Sequence, residues 1–263
     1  MTLLSDTRYI FVRYLRKLVR TPILLFFSLF QPILFLALFT QLLTNLSNIP
    51  GILPKGVSYL EFATAGILLQ NAFGSALQSG NSIVADIDSG FLQKMLVTPV
   101  SRPAILLGRL SSDALRVVIQ SAIILGLGYV FGEIEGTPLN VVTGPIGILL
   151  IFFTLAFFGL AWSGISLALG MKTRSSETVF AIGGVITFPL LFLSPSLLPI
   201  NFLPTWVANV SMFNPVSYAV NASRALMING YDWGTILPAW GVIGLVAVIT
   251  LSATLYQFRK VVS

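Results

Sequence analysis

Stretches without a single charged residue dominate this chain. They cover residues 21–54, 62–85, 117–132, 136–171, 178–223 and 233–258. A helix needs about 20 apolar residues to cross the hydrocarbon core of a bilayer, and most of these stretches hold one such helix with loop to spare. The third stretch is short. It is expected to extend back through 104–116, leaving Arg109, Asp113 and Arg116 at the interface, where a local charge pair holds them while the arginines snorkel. The stretch 178–223 is too long for one helix and too rich in proline for two. It predicts one span and then a partly buried outer segment. The expected fold is an all-α membrane protein, a single transmembrane domain over 1–263, with six transmembrane helices at 22–44, 58–85, 104–132, 144–170, 178–194 and 236–258.

Three further segments carry patterns of their own. Residues 1–21 place Phe11, Tyr14, Leu15 and Leu18 on one stripe and Arg13, Arg16, Lys17 and Arg20 opposite. That pattern predicts an interfacial amphipathic helix with a basic face for anionic lipid, ended by Pro22 at the start of the first span. Residues 86–103, between spans two and three, contain FLQKMLVTPVSRP. Here Ile87, Phe91, Leu92, Met95 and Leu96 recur at helical spacing, and Asp86, Asp88 and Ser89 are cap candidates. Pro99 should stop the helix near Thr98, which gives about ten residues and roughly 15 Å. Such a helix either rests on lipid headgroups or docks its apolar face into a partner. Residues 195–232, between spans five and six, begin with PSLLPINFLPTW. Asn214 then offers an N-cap, Pro215 a first helical position and Asn229-Gly230 a stop, for a re-entrant or interfacial helix of roughly four turns.

Composition sharpens this picture. The chain has 263 residues, 56% hydrophobic and only 9% charged, against roughly 25% charged in soluble domains. Its mean hydropathy is +0.91. The net charge of +6 reflects loop placement, so no nucleic-acid partner is expected. Basic residues precede the first span and follow the second (Lys94, Arg102), the fourth (Lys172, Arg174) and the sixth (Arg259, Lys260). Lys55 and Arg224 lie on the other side. The positive-inside bias therefore puts both termini in the cytoplasm of a multi-pass plasma-membrane protein, and no cleavable signal peptide is expected. Cys and His are absent, which removes thiol catalysis, disulfides, Cys/His metal sites and His acid–base chemistry. No catalytic residue and no metal site is expected.

Candidate transport residues lie on the second span. Asn71, Ser75, Gln78 and Ser82 fall within about 60° of one another around a helix, so they face protein or water rather than lipid. They either line a substrate path or hydrogen-bond between helices. At the outer end, Arg224 meets an anionic headgroup or substrate, or snorkels. Glycines at 126, 128, 159, 164, 170, 183 and 184 serve close packing or bending.

The run GFLQKMLVTPVSRPAILLGR resembles the segment between spans two and three of ABC type-2 exporter permeases, the membrane subunits of ATP-binding-cassette exporters that include daunorubicin-resistance-like drug exporters. NPVSYAVNASRALMING, RYLRKLVRTP and QPILFLALF fit the same family. One departure is Gln93, where the family often carries an acidic residue. The resemblance implies a coupling helix at Phe91, Leu92, Gln93, Lys94, Met95, Leu96, Thr98 and Pro99 that transmits closure of an ATPase dimer, and an outer gate around Asn214, Pro215 and Arg224. No G-x-x-x-x-G-K-[ST] occurs, so ATP and Mg would be held by a separate ATPase subunit in two copies, with no cofactor in this chain. A second permease, identical or a sister, would complete the path, and the cargo would be amphipathic or lipid-linked. The alternative is an ATP-independent secondary transporter or channel, which needs ionisable residues buried mid-span. An intramembrane enzyme is a third possibility, with Ser163 in a WSG triplet but no His to activate it.

Overall fold

The computed structural model describes residues 3–49, 53–54, 56–98 and 100–262; the expectations placed on Lys55 and Pro99 lie outside the described residues. Among the described residues there is no strand. The helices are α1 (Leu3–Arg20), α2 (Pro22–Leu43), α3 (Tyr59–Asp88), α4 (Phe91–Leu96), α5 (Arg102–Glu135), α6 (Gly144–Thr173), α7 (Ser176–Phe192), α8 (Thr205–Ser211), α9 (Pro215–Arg224) and α10 (Trp233–Val262), with short 3-10 turns at Thr44–Asn48 and Ile200–Phe202.

Local chemistry sets many of the boundaries. Pro22 and Pro215 open α2 and α9, where a missing N–H costs nothing. Ser58 and Glu61 form a reciprocal capping box at α3: Glu61 N–H donates to Ser58 Oγ at 3.2 Å, and Ser58 N–H donates to Glu61 Oε2 at 2.8 Å. Four segments are long and apolar enough to cross a membrane: Leu25–Leu43, Arg102–Glu135, Gly144–Thr173 and Trp233–Lys260. α7, with 17 residues, is a shorter apolar helix.

α3 is the central element. It packs against α2, α5, α6, α7 and α9 and is buried over most of its 30 residues. Phe73 of α3 meets Phe158 and Trp162 of α6 edge-on, with ring centroids 4.8 Å apart in both pairs. Lower on the same crossing the backbones nearly touch. A Cβ on Gly80 would lie 2.4 Å from the Ser166 carbonyl oxygen, and one on Gly170 would lie 2.6 Å from the Gly80 carbonyl oxygen. A second, smaller core gathers Ile10 and Tyr14 of α1, Ile83 and Ile87 of α3, Leu92 and Met95 of α4, Ile105 of α5, Met171 of α6 and Phe258 of α10. α1 and the last turns of α10 therefore share a core with α4 at one end of the bundle.

Two expectations are corrected here. Asp86 and Asp88 do not start the coupling helix; they close α3, which runs on to Asp88. The chain reverses at Gly90, whose φ of +69° is a left-handed conformation that favours glycine, and α4 is only six residues long, about 9 Å. α1 is also more than a lipid-bound helix. Its Asp6, Ile10 and Tyr14 are buried, it lies along α5, and a Cβ on Gly108 would come within 2.8 Å of the Thr7 carbonyl. Asp6 accepts the Ser101 N–H at 3.1 Å, at the start of α5.

Candidate functional site

α4 has two unlike faces. Leu92 and Met95 are buried in the second core, while Gln93, Lys94 and Thr98 are exposed and Val97 is 85% exposed. Phe91 and Leu96 are half-buried, and the Arg13 guanidinium lies 3.4 Å above the Phe91 ring. The apolar stripe thus fastens α4 to its own chain. The expectation that this stripe fills a partner's groove is corrected: the surface left for a partner is the opposite one.

Directly behind α4, Asp86 joins three helices. Its Oδ2 accepts from the Tyr14 hydroxyl at 2.7 Å and from Arg109 Nη1 at 2.9 Å; its Oδ1 lies 3.7 Å from both Arg13 and Lys17. Arg109 Nη1 also donates to the Tyr14 oxygen at 3.0 Å, and Nη2 to the Ser79 carbonyl at 3.0 Å. Burial pushes the Tyr14 hydroxyl up to about 12, so it remains a donor at neutral pH. One turn further along α5, Asp113 accepts from the Ser79 hydroxyl and pairs with Arg116 at 3.0 Å. Arg116 reaches across to α3, donating from Nε to Ser75 Oγ at 2.8 Å and from Nη2 to the Ser75 carbonyl at 2.6 Å. Arg109, Asp113 and Arg116 therefore do not snorkel as expected. Arg109 is 2% exposed, and its charge is matched inside the bundle. Helical spacing along α5 could show that these three share a face; it could not show that the partner of Arg109 was Asp86, 23 residues away in sequence.

Beside this network lies a cavity of about 530 Å³ between α1, α2, α3, α5 and α7. Its lining is mixed: Leu15, Leu18, Leu25 and Phe180 are apolar, Gln78, Asn81, Ser82 and Ser112 are polar, and Lys17, Arg109 and Arg116 also line it. The four-residue polar stripe predicted on the second span is divided by this arrangement. Gln78 and Ser82 line the cavity. Asn71 and Ser75 are buried away from it, with Ser75 held by Arg116. Asn81 and Lys17 were missed as cavity residues. Asn81 lies three residues from Gln78 on the same face of α3, which was the available signal; Lys17 was assigned wholly to a lipid-facing surface.

At the other end, Asn214 caps α9 by accepting the Val216 N–H at 3.0 Å. Its amide also donates to the carbonyls of Leu190 at 2.6 Å and Leu193 at 3.0 Å, which belong to the terminus of α7 and have no helical partner. Pro215 occupies the first turn of α9, and after the π turn Ala225–Asn229 the chain breaks at Gly230, φ +98°. Arg224 lies 3.6 Å over the Phe62 ring and donates to the carbonyls of Ser196 at 3.0 Å and Phe62 at 3.3 Å. It packs rather than snorkels.

A helical bundle with several bilayer-length helices is that of a multi-pass membrane protein. Comparison with known proteins makes the class specific. The model of the ABC-2 type transporter family matches residues 5–228, and this chain belongs to that family. Among curated proteins it is similar to the putative transport permease ycf38 of Pyropia yezoensis, 29% identical over 256 residues that cover 95% of this chain and 84% of the relative. It is similar to the daunorubicin resistance ABC transporter permease protein DrrB1 of Streptomyces coeruleorubidus, 30% identical over 244 residues, covering 91% and 81%. The ycf38 permease of Cyanophora paradoxa is 32% identical over 238 residues, covering 84% and 77%. The chain is thus a permease subunit rather than an enzyme, and its family implies an ATP-binding partner.

Proposed function

We propose that this chain is the membrane half of an ABC exporter whose motor is a separate ATPase, docked on the exposed face of α4. The observation that carries this reading is the division of α4, with Leu92 and Met95 held in the chain's own core and Gln93, Lys94, Val97 and Thr98 left open. A rigid tab with a free outer face can take force from a partner and pass it inward. The first element it would load is the Asp86–Arg109–Tyr14 network, which ties α3, α5 and α1 together.

Six spans with both termini cytoplasmic accompany this reading. α3 and α7 join the four bilayer-length helices, and α4 sits on the cytoplasmic side with the basic residues of α1. Two copies, or one copy and a sister permease, enclose the path, while two ATPase subunits hold ATP and Mg. The cavity bordered by Gln78 and Ser82 is the section of path nearest the cytoplasm, for an amphipathic or lipid-linked cargo. The α8–α9 segment, held by Asn214, Pro215 and Arg224, forms the outer gate. The relatives named for daunorubicin resistance and transport support an export role.

The test is co-purification with the cognate ATP-binding subunit and vanadate-sensitive ATP hydrolysis by the assembled complex. Val97→Asp should remove most assembly, because it puts a charge in the centre of the contact, whereas the folding of the permease should be unchanged for so exposed a residue. Undiminished assembly and hydrolysis in Val97→Asp and Lys94→Glu together would dispose of docking at α4.

A further inference from the structure

We infer that the cavity between α1, α2, α3, α5 and α7 receives an amphipath with an anionic head, a phosphate or carboxylate carried on an apolar tail. This rests on the reading of the cavity as part of the substrate path and adds the charge of what enters it. The mixed lining fits an amphipath: Leu15, Leu18, Leu25 and Phe180 offer apolar surface, and Gln78, Asn81, Ser82 and Ser112 offer hydrogen bonds. Charge selects the head. Asp113 is the acid lining the cavity, and it is committed to Arg116 and Ser79. Asp86, immediately behind, is committed to Arg109 and Tyr14 and also faces Arg13 and Lys17. The cations lining the cavity are Lys17, Arg109 and Arg116, three against Asp113 and the adjoining Asp86, a surplus of one positive charge (3 − 2). Among the described lining residues no carboxylate is left over to hold a protonated amine.

Arg109 and Asn81 both line the cavity, and Arg109 Nε and Asn81 Nδ2, buried in the protein, have no hydrogen-bond partner among the described residues. A buried donor left in that condition is costly. At the rim, Lys17 is about half exposed and only 3.7 Å from an Asp86 already held by shorter contacts, which leaves its ammonium available to an incoming head.

Because the chain has no cysteine, one introduced thiol reports on the site alone. Ala85 is exposed and lines the cavity. The full chain carrying Ala85→Cys would be reconstituted in phosphatidylcholine nanodiscs and its rate of maleimide labelling followed with dodecyl phosphate, dodecyl maltoside, dodecyltrimethylammonium or inorganic phosphate. Dodecyl phosphate is expected to slow labelling about tenfold and the other three less than about twofold, with Phe213→Cys at the far end unaffected by any. Lys17→Gln, at an exposed position where folding is preserved, should weaken the dodecyl phosphate effect about fivefold, the worth of one charge near a membrane surface. Equal protection by all three amphipaths, a preference for the ammonium, equal protection by inorganic phosphate, or indifference to Lys17→Gln overturns the anionic assignment and leaves the path in place. No protection by any probe overturns the path itself.

Discussion

Arg109 illustrates how a charge is kept inside this bundle. Its guanidinium is almost wholly out of solvent, yet Asp86, Tyr14 and the Ser79 carbonyl meet it within 3.0 Å. Removing one member strands the others. Asp86→Asn should cost about 3–5 kcal/mol, whereas replacing both charges, Asp86→Leu with Arg109→Met, should recover most of that loss. Unfolding midpoints of the purified chain in detergent read the difference, and a double variant no better than the worse single one would show that the pairing is not what Asp86 contributes. Charge spacing on α5 was legible in the sequence because i, i+4 and i+7 share a helix face. The destination of those charges was not, because snorkelling and burial begin from the same spacing and only the position of α3 decides between them.

Among the helices, the glycines divide into two kinds that composition alone had left together. Gly80 and Gly170 lie where α3 and α6 approach backbone to backbone, while Gly126 on α5 has nothing within 4 Å of a built Cβ. Gly80→Val should therefore destabilise by about 3 kcal/mol or more by forcing the crossing apart, and Gly126→Ala should be neutral or raise stability by up to about 1 kcal/mol through helix propensity. Thermal unfolding of the two variants side by side checks this; similar losses in both would mean that the crossing is not the reason for Gly80. The helix after Asn214 was readable residue by residue, since cap, proline and stop are all local. α4 was misjudged in length for an equally physical reason. Asp and Ser before an apolar run signal a helix start, but α3 had enough apolar contact to continue through them, and Gly90 alone marks the true reversal.

For the molecule as a whole, α1, α4 and the end of α10 share one core, so whichever side of the membrane holds α4 also holds the C-terminal helix end. Exposed Val97 and Phe213 then lie at opposite ends. With the cytoplasmic assignment, a membrane-impermeant maleimide applied to intact cells should label Phe213→Cys and leave Val97→Cys unlabelled until the membrane is opened; the reverse pattern would invert the topology. That the chain would be all-helical with several long apolar helices was visible early because apolar run length obeys the bilayer. The cavity was not, since its walls come from five helices distant in sequence.

α7 carries a last consequence. Its 17 residues extend about 25 Å, short of a hydrocarbon core about 30 Å thick. Under the six-span reading its final peptide groups stop below the outer surface, and Asn214 is the side chain that answers two of them. On that reading, lipid thinned around this corner would meet it, and the acyl-chain length of the host membrane would become a variable in how easily that corner moves.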